Sequence, residues 1–351
     1  MSSTNRRPPL RLGVVDQAPV RAGGSAAEAL NEAVELAVFT ERLGYERYWV
    51  AEHHSLASLA ATSPEILIGQ IAQATERIRV GSGGVMLTHY SALKVAENFR
   101  MLESFFPGRI DLGLGRAPGG DQRTAQALSY PGPMNDVREY PRQVDDVIGF
   151  LADDLPEGHP FAGVRAGPND GTLPEVWLLG SGVDSAMLAA ERGLPFSFAH
   201  FFGTAIEHGP AIAETYRKRF RPSERFPTPR LHVALGVLCA ETDDEVAYHA
   251  APLRLSRINM ARGIHNGILS PEEAAEHVFT PEEVAFLERS DQSAIQGTPD
   301  RVASEIEAIA DRFGTDELGI VTICHDFAAR LRSYELVATQ LGLRGVALPT
   351  N

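Results

Sequence analysis

Short apolar runs alternate with longer amphipathic stretches along almost the whole chain. The runs are rich in β-branched residues and have the length of strands. Between them lie stretches with apolar residues at three- and four-residue spacing, as in helices that cover a sheet. This alternation predicts repeated strand–helix units and a parallel sheet. The eight runs are residues 10–17, 47–53, 78–87, 110–117, 175–182, 195–202, 230–240 and 317–326.

Eight strands separated by helices predict an α/β fold, a closed (βα)8 or TIM barrel, as one domain over residues 10–351. A doubly wound open sheet is the alternative. Residues 1–9 are expected to form a disordered tail. Residues 261–297 insert two short helices with capping residues between the seventh and eighth runs, and are a candidate mobile lid at the barrel mouth.

Charge and cysteine content exclude several classes of protein. Lys and Arg number 32 against 46 Asp and Glu, for a formal net charge of −14. Such a chain repels phosphate backbones and anionic lipid, so we expect no nucleic acid and no membrane partner. Its two cysteines lie inside apolar runs, which excludes a disulfide framework. With no signal peptide or membrane-length apolar run, a cytoplasmic location is expected.

Polar residues gather where the predicted strands end, which is where a barrel of this kind builds its active site. Glu52 and His54 point one way from an extended strand and His53 points the other, because successive side chains alternate. They cannot grip one metal ion together, and we expect no metal site. His53 suits proton transfer near neutral pH, with a purely structural hydrogen bond as the alternative.

Two other strand ends carry the elements of an anion site. Arg116 offers a planar cation that suits a phosphate, or forms an ordinary ion pair. Ser181 and Gly182 precede a predicted helix, whose N-terminus either binds an anion or is simply capped. Taken alone, Gly83-Gly84 is best read as a bulge or a close helix contact. No P-loop or serine-hydrolase motif is present.

These residues lie in segments through which the chain resembles the bacterial luciferase-like flavin oxidoreductases. The resemblance implies a (βα)8 barrel that binds FMN, or in some branches a deazaflavin, at its mouth. It further implies a monooxygenase that receives reduced FMN from a separate flavin reductase, reacts with O2 through a flavin 4a-peroxide and oxidises a small organic substrate. The resemblance rests on LGVVDQAPV, TERLGYERYWVAEHH, ERIRVGSGGVML, ENFRMLESFFPGRIDLGLGRAPGGD, VWLLGSG and QGTPDRVASEIEAIADRFGTDELGIVT.

The resemblance also implies roles for individual residues. His53 is the catalytic histidine beside the reactive face of the flavin, and Glu52 is the acidic residue that precedes it. Gly83-Gly84 is expected to be a cis peptide on which the flavin ring rests. The cofactor-binding residues so implied are Gly83, Gly84, Arg116, Arg138, Ser181, Gly182 and Asp16.

Departures from luciferase itself narrow the function. Gly180 and Gly115 replace an acidic residue and a cysteine of luciferase, so light emission is not expected. A deazaflavin-dependent hydride-transfer oxidoreductase and a non-catalytic flavin-binding protein remain alternatives. Family members usually pair through helices that match residues 63–76 and 91–106, which implies a homodimer. Candidates for an apolar substrate pocket are Leu87, Tyr90, Phe198, Phe202 and Tyr130.

Overall fold

Eight parallel strands close into a barrel in the computed structural model, which describes residues 8–169, 171–201, 207–264 and 266–345. The last strand pairs with both the first and the seventh barrel strands, which leaves no free barrel edge. The (βα)8 prediction is therefore confirmed, and the open doubly wound sheet is excluded. The strands are β1 (Arg11–Asp16), β2 (Arg47–Val50), β3 (Arg79–Ser82), β4 (Val85–Met86), β5 (Ile110–Gly115), β6 (Glu175–Gly180), β7 (Phe196–Ala199), β8 (Leu231–Cys239), β9 (Ala294–Gly297) and β10 (Glu317–Val321).

Helices cover the outside of the barrel, and several begin at a side-chain cap. The Ser25 hydroxyl caps the first helix by accepting a hydrogen bond from the Glu28 N–H. The Glu28 carboxylate in turn accepts a hydrogen bond from the Ser25 N–H. Gly44 ends that helix at φ 94°, a left-handed conformation that favours glycine. The helices are α1 (Ala26–Leu43), α2 (Pro64–Ala74), α3 (Ala92–Phe105), α4 (Gln122–Ser129), α5 (Tyr140–Ala152), α6 (Val183–Glu191), α7 (Gly209–Arg219), α8 (Asp243–Ala261), α9 (Pro271–Ala275), α10 (Pro281–Asp291), α11 (Pro299–Phe313) and α12 (Phe327–Gln340).

The insertion before β10 contains the two predicted capped helices, α9 and α10. It also contains β9, which lies outside the eight apolar runs and pairs with the second half of β8. Near its start, the N–H of Ile268 donates to the Val20 carbonyl, 2.8 Å away. The insertion is thus hydrogen-bonded to the barrel on both sides of its helices, and its role as a lid stays a prediction.

The described residues include only the end of the expected N-terminal tail. Residues 1–7 of the expected tail lie outside them, whereas Pro8 and Pro9 are exposed and belong to no helix or strand. None of the described helices is long and apolar enough to cross a membrane.

Charged and aromatic side chains fill the barrel at the amino ends of its strands. The guanidinium groups of Arg47 and Arg230 lie 5.0 and 4.9 Å from the ring centroid of Trp177. Each guanidinium also pairs with Glu175 at 3.0 Å. These four residues, together with Asp111, form what we call the polar plug.

Asp111 is the fully buried anion of the polar plug. It accepts hydrogen bonds from Arg47, from Arg79 and from the Trp49 indole N–H, the last at 2.9 Å. Burial raises the pKa of Asp111, but Arg47 and Arg79 outweigh burial and hold that pKa below its usual value. The carboxylate therefore stays charged and compensates two cations inside the barrel.

Replacing Asp111 with Asn tests this compensation. The amide keeps the shape of the side chain but leaves Arg47 and Arg79 without their shared anion, so we expect a loss of about 3–5 kcal/mol of unfolding free energy. Guanidinium chloride unfolding followed by circular dichroism measures the loss. The exposed control Asp154→Asn is expected to change the same free energy by less than about 0.5 kcal/mol; equal effects of the two variants would contradict this account.

Candidate active site

A cavity of about 490 Å³ lies at the carboxyl ends of the barrel strands. This volume is in the range of small-molecule and cofactor sites. Its floor includes Trp49, whose ring centroid lies 5.3 Å from Trp177 and 4.7 Å from His232 below it. The barrel is filled up to Trp49, so the cavity occupies only the end where the sequence predicts a site.

Six of the nine predicted site residues line this cavity, and three do not. His53 lies three residues after the end of β2. Gly83-Gly84 connects β3 with β4. Arg116 follows β5, and the serine–glycine pair follows β6. The lining residues among those predicted are His53, Gly83, Gly84, Arg116, Ser181 and Gly182.

His53 presents a neutral imidazole to the cavity. Its Nδ1 atom is buried and has no hydrogen-bond partner within the described part of the chain. Burial lowers the pKa of His53, only partly opposed by the charge of Glu52, and His54 lowers it further. Because Nδ1 has almost no accessible surface, other atoms of the His53 ring form the part of the side chain that lines the cavity.

Bare backbone forms the cavity wall at Gly83-Gly84, whose peptide bond is cis, as the resemblance implies. A Cβ atom at Gly84 would lie 2.6 Å from the Gly113 carbonyl oxygen, and one at Gly83 would lie 3.0 Å from the Cβ of Trp49. The close approach of the Gly113 backbone therefore requires glycine at position 84, whether or not a ligand binds. The consequence for the cavity is a flat peptide surface with no side chain over it, and its role under a flavin ring stays a prediction.

The mouth of the cavity carries one cation and one helix N-terminus. Gly182 is the N-cap of α6, and Ser181 precedes it. Arg116 lies beside them, with its guanidinium 3.7 Å from the carboxylate of Asp184 in the first turn of α6. Helix N-termini and guanidinium groups both favour anions, so this end of the cavity suits a phosphate.

Glu52, predicted to be catalytic, does not line the cavity, and its role stays a prediction. Its carboxylate is buried behind the cavity wall, where it accepts hydrogen bonds from the Met86 N–H at 2.9 Å and the Tyr90 hydroxyl at 2.6 Å. It also shares a 2.7 Å hydrogen bond with Nε2 of His54. Glu52 and His54 thus share one direction, as strand alternation predicts, while His53 faces the cavity. Glu52 positions the Met86 backbone and does not touch the cavity.

Asp16, predicted to bind the cofactor, does not line the cavity either. Its fully buried carboxylate faces α12, where it accepts hydrogen bonds from Arg330 at 2.6 Å, the Tyr48 hydroxyl at 2.5 Å and the Ala18 N–H at 2.9 Å. Burial raises the pKa of Asp16, but Arg330 and Tyr48 outweigh it and lower the pKa overall. The side chain lies outside the barrel because its neighbour along β1, Val15, points into the cavity.

Arg138 is the third predicted residue that the structure places elsewhere. Its side chain is 85% exposed and pairs with Asp136 two residues away. It does not line the cavity, because the short helical turn that carries it holds the guanidinium in this local ion pair. The role of Arg138 as a second phosphate arginine stays a prediction.

The residues of the cavity floor were missed, although strand alternation could have found them. Residues two apart share a face, so the inward position of His53 implies that Ala51 and Trp49 also point inward. Four of the residues predicted for an apolar substrate pocket do not line the cavity. Leu87 and Phe198 lie in the core, Tyr130 is exposed, and the Tyr90 hydroxyl is bonded to Glu52. Phe202 lies outside the described residues. The lining residues not predicted include Val15, Gln17, Trp49, Leu179, Phe201 and Ala234.

Comparison with known proteins assigns the family. The model of the luciferase-like monooxygenases matches residues 10–317, and the chain belongs to that family. The protein YwcH of Bacillus subtilis is 44% identical over 327 residues, covering 93% of this chain and 97% of its own. The N-acetyl-S-alkylcysteine monooxygenase of the same organism is 33% identical over 331 residues, covering 94% and 97%.

Solved structures agree with the family and the fold. The crystal structure of apo-MsnO8 is 38% identical, with a TM-score of 0.84, and the match covers 96% of this chain and 100% of that one. Two more distant structures share the fold alone. They are the FMN complex of the oxygenating constituent of 3,6-diketocamphane monooxygenase from Pseudomonas putida (20% identity, TM-score 0.71, coverage 97% and 100%) and an F420-dependent secondary alcohol dehydrogenase with an F420-acetone adduct (17%, 0.66, 95% and 99%).

Proposed function

We propose that this protein is an FMN-dependent monooxygenase that oxidises a small organic substrate with O2. Reduced FMN would come from a separate flavin reductase, and both proteins would work in the cytoplasm. The observation that carries the proposal is one cavity that combines an anion-binding mouth at Arg116, bare backbone at Gly83-Gly84 and an unpartnered imidazole at His53. Membership of the luciferase-like monooxygenases supports the reaction class.

The residues present fit FMN. Arg116, Ser181 and the N-terminus of α6 would hold its phosphate, while the side-chain-free surface of Gly83-Gly84 would support its planar ring. Bound reduced FMN supplies the electrons that activate O2. His53 lines the cavity and is neutral because burial lowers its pKa, so it would hold or accept a proton beside the reacting atoms. The apolar floor around Trp49 would exclude water from them.

A deazaflavin-dependent hydride transfer is the second candidate, since a structure with an F420 adduct shares the fold. Arg116 is the only cationic side chain among the described residues that line the cavity. An F420-type deazaflavin carries a longer anionic tail than FMN and would need more cations, so the cavity favours FMN. A non-catalytic flavin-binding role would leave the buried, unpartnered His53 without a use.

Anaerobic titration of the protein with reduced FMN and with reduced deazaflavin F420 tests the choice of cofactor. We expect tighter binding of FMN, followed by a transient flavin absorbance change on mixing with oxygenated buffer. Arg116→Ala should weaken FMN binding at least about tenfold, because a charge-assisted hydrogen bond is lost. The exposed Arg138→Ala is the matched control and should bind FMN normally. Tight deazaflavin binding without oxygen reactivity would overturn the proposal.

Replacing His53 with Ala tests its proposed role in proton transfer. The variant should bind FMN normally, because the phosphate residues are intact, but should release hydrogen peroxide faster after the reduced complex meets O2. A peroxide-coupled fluorescence assay measures the rate. His208→Ala, on the exposed N-cap of α7, provides the control. An unchanged peroxide rate in the His53 variant would remove its proposed role.

We also propose a homodimer that pairs through α2 and α3. Three large apolar side chains on these adjacent helices are exposed: Ile66 (69%), Met101 (48%) and Phe105 (72%). Exposed apolar residues that cluster on neighbouring helices are typical of a protein–protein interface. The helices also match the segments through which the resemblance implies pairing.

Light scattering after gel filtration tests the homodimer. The wild type should elute as a dimer, and the double variant Ile66→Glu, Phe105→Glu should elute as a monomer, because charges replace the apolar contacts. Val278→Glu, at an 88% exposed apolar residue of the insertion, should stay dimeric. A wild type that is monomeric at every concentration would refute the proposal.

A further inference from the structure

We propose that the substrate of this cavity is a small molecule with no ionised group, carrying neither a carboxylate, a phosphate nor an ammonium. The inference rests on the proposed function and adds the substrate class. Its starting point is the placement of charge: Arg116 is the only ionised side chain among the described residues that line the cavity, and it lies at the mouth. A bound FMN phosphate would occupy it.

The inner part of the cavity is apolar. Val15, Trp49 and Ala234 belong to one buried cluster within the barrel, and Leu179 and Phe201 pack against that cluster. All five line the cavity. An ionised group placed against this surface would lose its water without gaining a partner, at a cost of several kcal/mol.

The polar side chains of the inner cavity are neutral. The Ser197 hydroxyl is bonded to Nδ1 of His232 at 2.8 Å, and Gln17 contributes an uncharged amide. His53 is uncharged near neutral pH because burial lowers its pKa, so it carries no standing positive charge for a carboxylate. These groups can accept or donate ordinary hydrogen bonds, which suits an amide, a carbonyl, an alcohol or a thioether.

Among the described residues that line the cavity, none is a carboxylate that could serve as counterion for a cationic substrate. Asp16 and Glu52 are buried carboxylates adjacent in sequence to residues that line the cavity. Both face away from it, and each is hydrogen-bonded to three groups of the protein. Asp184 stands at the mouth beside Arg116. Residues 202–206, which follow Phe201 in the chain, contain no ionisable side chain in their sequence.

Matched pairs of probes that differ in charge but hardly in size test this inference. We would compare 4-(methylthio)benzamide with 4-(methylthio)benzoate, and 4-(methylthio)butanamide with 4-(methylthio)butanoate. Binding to the FMN-loaded protein is followed by the absorbance change of oxidised FMN and by calorimetry. We expect at least one of the two amides to bind. Each amide that binds should have a dissociation constant at least about tenfold lower than that of the matching acid.

A charge placed in the cavity wall should reverse this selectivity. Gln17→Lys supplies an ammonium partner for a carboxylate, so the preference for the amide should shrink or invert. Gln17→Met has a similar length without the charge and should keep the amide preference. If Gln17→Lys fails to fold, the comparison of wild type and Gln17→Met with the four probes still decides the question.

The possible failures are distinguishable. Wild-type protein that does not bind FMN overturns the proposed function and this inference with it. Normal FMN binding together with acids that bind as tightly as their amides overturns the substrate class alone. Normal FMN binding with no binding of any probe also counts against it, because an apolar neutral cavity should accept at least one of the two amides.

Discussion

The polar plug fills the amino end of the barrel and leaves the carboxyl end for a ligand. Arg47 and Arg230 lie over Trp177, and their charges are compensated by Glu175 and the buried Asp111. Buried charges are tolerable only when they are paired in this way. Because the plug and the aromatic rings above it fill the barrel, open volume remains only at the carboxyl ends of the strands.

At that open end, the alternation of side chains along a strand separates two kinds of polar residue. His53 enters the cavity, whereas Glu52 turns behind the wall and fixes the backbone of Met86. The same division puts Val15 inside and Asp16 outside, bound to Arg330. Residues adjacent in sequence therefore have different roles: one set can touch a ligand, and the other holds the strand ends that carry it.

The distribution of charge in the cavity links the proposed cofactor to the proposed substrate. One cation at the mouth, beside a helix N-terminus, suits a single phosphate. Once that phosphate is bound, the remaining lining is apolar or neutral, and an ionised substrate would have to give up its hydration without compensation. The site would therefore select its substrate by excluding charge, with Gln17 and His53 left to form neutral hydrogen bonds.

The sequence by itself predicted the eight strands and the two capped helices of the insertion, because these depend on short periodic patterns and on capping residues. The rule that barrel strands end at one face gathered the polar strand ends, and the family resemblance implied which of them belong to the site. The sequence did not determine β9, whose four residues pair with β8 only after the barrel has formed. Only the tertiary structure showed the partners of Asp16 and Glu52. Asp16 meets Arg330, 314 residues away, and Glu52 meets Tyr90, 38 residues away. A local pattern cannot show such partners, because the contact exists only once the strands and helices have packed together.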